Sequence, residues 1–179
     1  MSGHEMADQT GFCIPYKVKE TPGKGRGVFA EAAARKGDVL WRFVAGRYSV
    51  DDEQTFLAVI EGMSVADIVY ELTHAFGMRD FPGFLIRIHD DGVLINHARD
   101  ANTASQSVIA GAPPPKASTL SIPSVTKALL DDRYALVALR DIVEGEELTN
   151  NYEIEAVDPP FYQALCERYG VDDDYLDAG

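Results

Sequence analysis

Cysteine is scarce: Cys13 and Cys166 are the two among 179 residues, too few for a disulfide framework or a cysteine-built zinc site. The four histidines, His4, His74, His89 and His97, show no ligand-type spacing, so no metal site is expected. No apolar run approaches the roughly 18–20 residues that a membrane span requires. The opening MSGHEMADQTGF lacks the basic start and apolar core of a secretory signal, and a soluble, cytoplasmic protein is expected. Neither a dinucleotide fingerprint nor a phosphate-cradling loop with its lysine and hydroxyl occurs. Basic residues are in short supply, 16 Lys and Arg against 29 Asp and Glu, for a net charge of −13. A surface that tracks phosphate needs the opposite sign, so no direct nucleic-acid ligand is expected.

The acidity is concentrated. Residues 141–179 hold 12 acids and a single base, Arg168. Such a region draws a basic partner toward it, and it also serves as an ordinary solvated face. With 46% hydrophobic and 25% charged residues, the chain can bury the core of one ordinary domain.

Alternation over residues 13–19 reads as a strand stopped by Thr21-Pro22-Gly23, with Lys24-Gly25-Arg26-Gly27 as a tight turn and Val28-Phe29-Ala30 extended again. Residues 39–44 form an apolar strand after the Gly37-Asp38 turn. Helical spacing follows at 51–61 and 64–76, with Ser64 as N-cap, Asp67 three residues on and Gly77 as the stop. Residues 84–88 and 93–95 read as a hairpin around Asp90-Asp91-Gly92. A Pro/Ala/Ser-rich loop over 110–124 separates Ser107-Val108-Ile109 from a strand at 134–139. Pro159-Pro160 opens an amphipathic helix through Tyr169, closed by Gly170 and followed by an acidic tail. The fold class is therefore mainly β with a helical insert and a C-terminal helix.

Three segments carry chemistry when taken together: Gly23-Lys24-Gly25-Arg26-Gly27-Val28-Phe29-Ala30, then Leu94-Ile95-Asn96-His97-Ala98-Arg99-Asp100-Ala101-Asn102, then Arg140 to Tyr152 with its Gly145-Glu146-Glu147-Leu148-Thr149. Singly they are a glycine turn, a strand end and a surface turn. In this order and spacing, over roughly residues 14–152, the chain resembles the SET domain of protein lysine methyltransferases. The resemblance implies several small β-sheets around a knot-like crossing, where the asparagine–histidine segment meets the glutamate–leucine–threonine–tyrosine segment. It implies a domain at 12–158, with an insert at about 51–77 shaping the substrate groove. A leader at 1–11 precedes it, and a helix and acidic tail at 159–179 cover the site.

The resemblance also implies S-adenosylmethionine as cofactor and a basic protein as substrate, through a histone-like or ribosomal-type lysine-rich tail. Lys24, Gly25 and Arg26 would present main-chain groups to the methionine end, with Gly25 and Gly27 permitting close approach. Asn96 would offer its side-chain amide, and the backbones of Asn96 and His97 would read the adenine edge. Phe84 is the candidate aromatic beside the cofactor, or equally a core phenylalanine. Tyr152 aligns with the active-site tyrosine. The chain departs from the family at Ala98-Arg99, Ala101, Asn150 and Asn151, and Asn150 replaces the channel's second aromatic. Phe161, Tyr162 or Tyr169 on the last helix would cover the lysine channel, though packing of that helix calls for the same aromatics. The alternative function is a non-catalytic module of the same fold that holds a basic peptide or the cofactor.

Overall fold

Strands β1 (Tyr16–Thr21) and β2 (Gly25–Ala30) form an antiparallel hairpin with Tyr16 opposite Ala30 and Thr21 opposite Gly25. The reversal falls one step earlier than the sequence indicated: Lys24 N–H donates to the Thr21 carbonyl, and Arg26-Gly27 already lie in the strand. The computed structural model describes residues 10–111 and 119–171. Most of the expected leader, the middle of the 110–124 loop and nearly all of the acidic tail lie outside the described residues.

Next come β3 (Val39–Trp41), β4 (Tyr48–Asp51), α1 (Glu53–Ile60), α2 (Val65–Thr73), β5 (Ala75–Gly77) and β6 (Leu85–Ile88). The second helix starts where the sequence says, after Ser64, whereas the first begins at Glu53 and not at 51, because Asp51 still belongs to β4 and Asp52 is the cap. Asp52 accepts the Thr55 N–H, Ser64 accepts the Asp67 N–H, and each satisfies a donor that the first turn leaves open. The second helix stops short of 76, at Thr73, and residues 75–77 become a strand against β6. Gly77 is needed for a different reason than a helix stop: a Cβ there would collide with the Val157 carbonyl.

Strand β6 is paired on both sides, by β4 and by β5, so residues 93–95 do not form the expected hairpin with it. Asp91–Leu94 instead make a 3-10 turn. Asp90 holds it by accepting from Gly92 N–H at 2.8 Å, Gly11 N–H at 2.6 Å and Trp41 Nε1 at 3.2 Å.

The remaining elements are β7 (Asn96–His97), β8 (Thr103–Ser105), α3 (Gln106–Ala110), α4 (Ile122–Leu129), β9 (Leu136–Ala138), β10 (Thr149–Asn150), α5 (Tyr152–Glu155) and α6 (Pro160–Tyr169). Ser107-Val108-Ile109 is helical, capped by Ser105, and a Ser121–Ser124 capping box starts α4 inside the stretch expected as loop. Three small sheets result: β1-β2, β4-β6-β5, and a five-stranded sheet in the order β3-β9-β8-β10-β7. Among the described residues no helix is long and apolar enough to cross a membrane.

Two apolar clusters hold these pieces. The first gathers Val28, Leu40, Trp41, Ile86, Tyr134 and Leu148 beneath the sheets. The second joins Phe56, Ile60, Ile68 and Leu72 of α1 and α2 to Tyr162, Leu165 and Cys166 of α6. At about 1.5–3 kcal/mol for each large apolar side chain fully removed from water, the second cluster fixes the last helix to the insert.

Candidate functional site

Strand β10 runs between β7 and β8, parallel to both, with Thr149 opposite Asn96, Asn150 opposite His97, and Asn150 opposite Thr103. The C-terminal segment thus passes between two strands joined by residues 98–102, which is the crossing expected from the sequence. Asn102, 2% exposed, supplies the hydrogen bonds that so short a strand cannot. Its Nδ2 donates to the Glu147 carbonyl at 2.7 Å and to Glu146 Oε1 at 3.1 Å, and its Oδ1 accepts the Thr149 N–H at 2.9 Å. A buried amide is tolerable only when satisfied in this way.

The crossing brings Tyr152 to His97. The Tyr152 N–H donates to His97 Nδ1 at 3.1 Å, and the rings lie 5.4 Å apart between centroids. The Tyr152 hydroxyl donates to the Ile95 carbonyl. Because Nδ1 accepts, the neutral imidazole carries its proton on Nε2. Burial pushes the His97 pKa down, and the nearby charges of Lys24 and Arg99 add to this while Glu153 opposes it.

A pH dependence follows. The unfolded chain protonates this histidine near about 6.5, whereas the folded chain resists, so protons favour the unfolded state. The contribution of His97 is complete above that value and is lost as pH falls through the depressed native one. Denaturant midpoints at pH 7.5 and 5.5 are expected to diverge in wild type and to draw together in His97→Asn. An unchanged divergence would assign the effect to other groups.

The hairpin turn approaches from the other side. Lys24 Nζ donates to the His97 carbonyl at 2.8 Å. Asn96 Nδ2 donates to the Arg26 carbonyl at 3.1 Å and to Glu147 Oε1 at 2.8 Å, and Thr21 Oγ1 donates to the same carboxylate oxygen at 3.0 Å. Gly27 is what lets them meet: a Cβ there would stand 2.5 Å from Thr21 Oγ1 and 2.8 Å from Asn96 Nδ2. Gly25 acts differently, since its Cβ position is open and its φ of 76° is the left-handed region that glycine permits. Beside Arg26 and Leu94 a cavity of about 350 Å³ opens toward Tyr70 of α2 and His74 just past its end.

Lys24, Arg26, Asn96, His97 and Tyr152 therefore converge, and Gly25 shapes the turn that brings two of them in. The expected aromatics pack on the two apolar clusters. Phe84 packs, half-buried, on the first apolar cluster, its core reading. Tyr162 is 2% exposed and donates to the carbonyls of Leu72 and Ala75, at 2.5 and 3.0 Å, in the second cluster. Phe161 lies 6.5 Å from Phe56, and Tyr169 packs on the same cluster. Of the two readings offered for these three, packing describes where they are.

Some residues of the site were not singled out from sequence. Thr21 stands in the sequence reading only as part of a strand stop, and Glu147 only as one residue of the glutamate–leucine–threonine–tyrosine segment, with no role of its own. The alternation around buried Leu148 does turn Glu147 and Thr149 to the opposite face. Where a channel aromatic was expected, Asn150 (9% exposed) sits instead in a polar pair with Glu155. That carboxylate also accepts the Ser105 N–H at 2.7 Å, and burial raises its pKa.

A scaffold of three small sheets, threaded at an Asn–His strand by the segment that carries a tyrosine, defines a recognisable class. The SET domain family model matches residues 25–153, well over half the chain, and the protein belongs to the SET domain family. No curated protein matches the sequence. Among solved structures the chain is similar to the Neurospora SET domain protein DIM-5, a histone lysine methyltransferase, with 18% identity and a TM-score of 0.48. That similarity covers 79% of this chain and 53% of the other. It is also similar to KRYPTONITE, solved in complex with mCHH DNA, H3(1-15) peptide and SAH, with 17% identity and a TM-score of 0.46 over 79% of this chain and 24% of that one. The chain thus spans about half the length of the first of these structures.

Proposed function

We propose that this SET domain protein is a protein-lysine N-methyltransferase that uses S-adenosylmethionine and acts on the lysine-rich tail of a basic protein. The observation that carries this is the seating of Tyr152, whose N–H is tied to His97 and whose hydroxyl is tied to Ile95 directly beside Asn96.

The residues present fit the cofactor. The Asn96 side chain, the main chain of His97 and the main chain of the 24–26 turn would hold it, and the close approach at Gly27 keeps these groups together. When bound, S-adenosylmethionine supplies a methyl group activated by a sulfonium. Everything else falls to the chain. A free lysine with a pKa of about 10.4 is neutral only about once in 10³ at neutral pH, and a channel that strips water from the ammonium raises that fraction. A Tyr152 hydroxyl that gives its hydrogen to Ile95 would meet an amine N–H as an acceptor, and an N–H held in that way turns the nitrogen lone pair toward the methyl. Alignment of this kind is worth up to about 7–11 kcal/mol, and no acid–base dyad is needed.

Transfer of labelled methyl to a mixture of basic proteins, with calorimetry of cofactor binding to wild type and Asn96→Ala, tests the reading. Binding lost in the variant and transfer by wild type are expected; no cofactor binding by wild type would overturn it. Asn150, polar where the channel aromatic was expected, favours a second reading, a module that binds a basic peptide or the cofactor without turnover. Binding with no transfer to any basic protein would select it.

The substrate class rests on the acidic region at 141–179, with its single base. Steering by that charge is screened over about 8 Å at 0.15 M salt. Moderate salt is therefore expected to raise the apparent KM far more than it lowers kcat, and equal KM at low and high salt would remove the steering argument.

A further inference from the structure

We infer that Glu147, backed by Thr21, fixes the orientation of the Asn96 amide so that its oxygen, and not its nitrogen, meets the α-ammonium group at the amino-acid end of S-adenosylmethionine. The inference rests on the cofactor reading above and adds a positioning residue that touches Asn96 rather than the cofactor.

The argument is a count of hydrogens. A carboxylate and a main-chain carbonyl only accept. Asn96 Nδ2 stands 2.8 Å from Glu147 Oε1 and 3.1 Å from the Arg26 carbonyl, so both of its hydrogens are spent inside the protein. Turning the amide over would set Oδ1 against two acceptors and leave three oxygens facing one another without a hydrogen, an arrangement that costs desolvation with nothing in return. Oδ1 is the group left for a ligand, and an acceptor selects an ammonium over a carboxylate. The negative charge one amide away adds to that preference.

Glu147 is itself held. Thr21 Oγ1 donates to the same Oε1 at 3.0 Å from the end of β1, where Thr21 pairs with Gly25. Gly27 leaves the space in which Thr21, Glu147 and Asn96 meet. Three separate pieces of chain, the β1–β2 hairpin, β7 and the approach to β10, are thus committed to the orientation of one amide.

The test is calorimetry with two probes, S-adenosylhomocysteine and its deaminated analogue, which keeps the carboxylate and lacks the α-ammonium. Glu147→Ala is expected to weaken S-adenosylhomocysteine by about tenfold or more, the worth of a hydrogen bond to a charged group, and to leave the analogue unchanged. Glu147→Gln, whose Oε1 still accepts from Asn96, is expected to restore most of the loss. Thr21→Val, which removes only the supporting hydroxyl, gives a smaller loss with the same selectivity if Glu147→Ala fails to fold. Equal weakening of both probes makes Glu147 a general strut of the pocket and overturns the inference, as does no weakening at all. Wild type that binds neither probe overturns the cofactor reading itself, and the inference with it.

Discussion

Tyr152→Phe is expected to lower the single-turnover rate of methyl transfer by about 10²–10³-fold, the usual cost of removing one preorganised polar group from a reacting centre, while S-adenosylhomocysteine binding stays within a few-fold. The ring of the variant keeps its place beside His97, and the Tyr152 N–H that anchors it belongs to the backbone. What is lost is one oxygen, whose direction is set by the Ile95 carbonyl. The same deletion leaves that carbonyl without its donor, at about 1–3 kcal/mol if water does not replace it, so thermal unfolding is measured alongside. A rate unchanged in a folded variant would show that the hydroxyl does not touch the reacting atoms, and the assignment of Tyr152 as the catalytic residue would go.

Much of this site could be read from the chain because its parts are backbone-like. Gly23 to Ala30, Asn96-His97 and Glu147 to Tyr152 are short segments whose residue types are dictated by turn geometry, strand pairing and close approach, and those leave marks in a sequence. Helix caps are equally local, which is why Ser64 and Gly170 end up where their chemistry places them. The reading failed where the deciding partner is distant. Residues 93–95 have a strand's composition, but β6 already has a neighbour on each edge and Asp90 is bound to Gly11 and Trp41. Likewise Tyr162 has the chemistry of a channel residue until the carbonyls of Leu72 and Ala75, some 90 residues away, are seen to receive its hydroxyl. The roles of Thr21 and Glu147 depend on a contact across 126 positions, which spacing alone cannot announce.

Arg87 is where the largest loss of stability is expected. Its Nε lies 2.9 Å from Asp51 Oδ2 and its guanidinium NH1 3.0 Å from Glu71 Oε2, which ties β6 to β4 and to α2. The side chains of Arg87 and Asp51 are 14% and 4% exposed. Burial works against the guanidinium charge, yet the two carboxylates outweigh it and raise the Arg87 pKa. Arg87→Met removes the cation and leaves Asp51 charged with little water around it, and breaking a buried pair from one side costs about 3–5 kcal/mol. At about 2–4 °C per kcal/mol for a protein of this size, the melting temperature is expected to fall by roughly 6–20 °C. Removing the anions as well, in Arg87→Met/Asp51→Asn/Glu71→Gln, is expected to recover most of that, because the penalty lies in the unpaired charge rather than in the loss of attraction. A single-variant loss below about 1 kcal/mol would mean that water reaches Asp51 and that the cluster behaves as a surface pair. The consequence reaches the site, since α2 forms the far wall of the cavity beside Arg26 and Leu94. An insert freed from β6 would lose that wall while the crossing at His97 and Tyr152, held by its own hydrogen bonds, stayed intact. Cofactor and peptide affinity are therefore expected to fall in Arg87→Met at temperatures where the single-turnover rate at saturation is still near that of wild type.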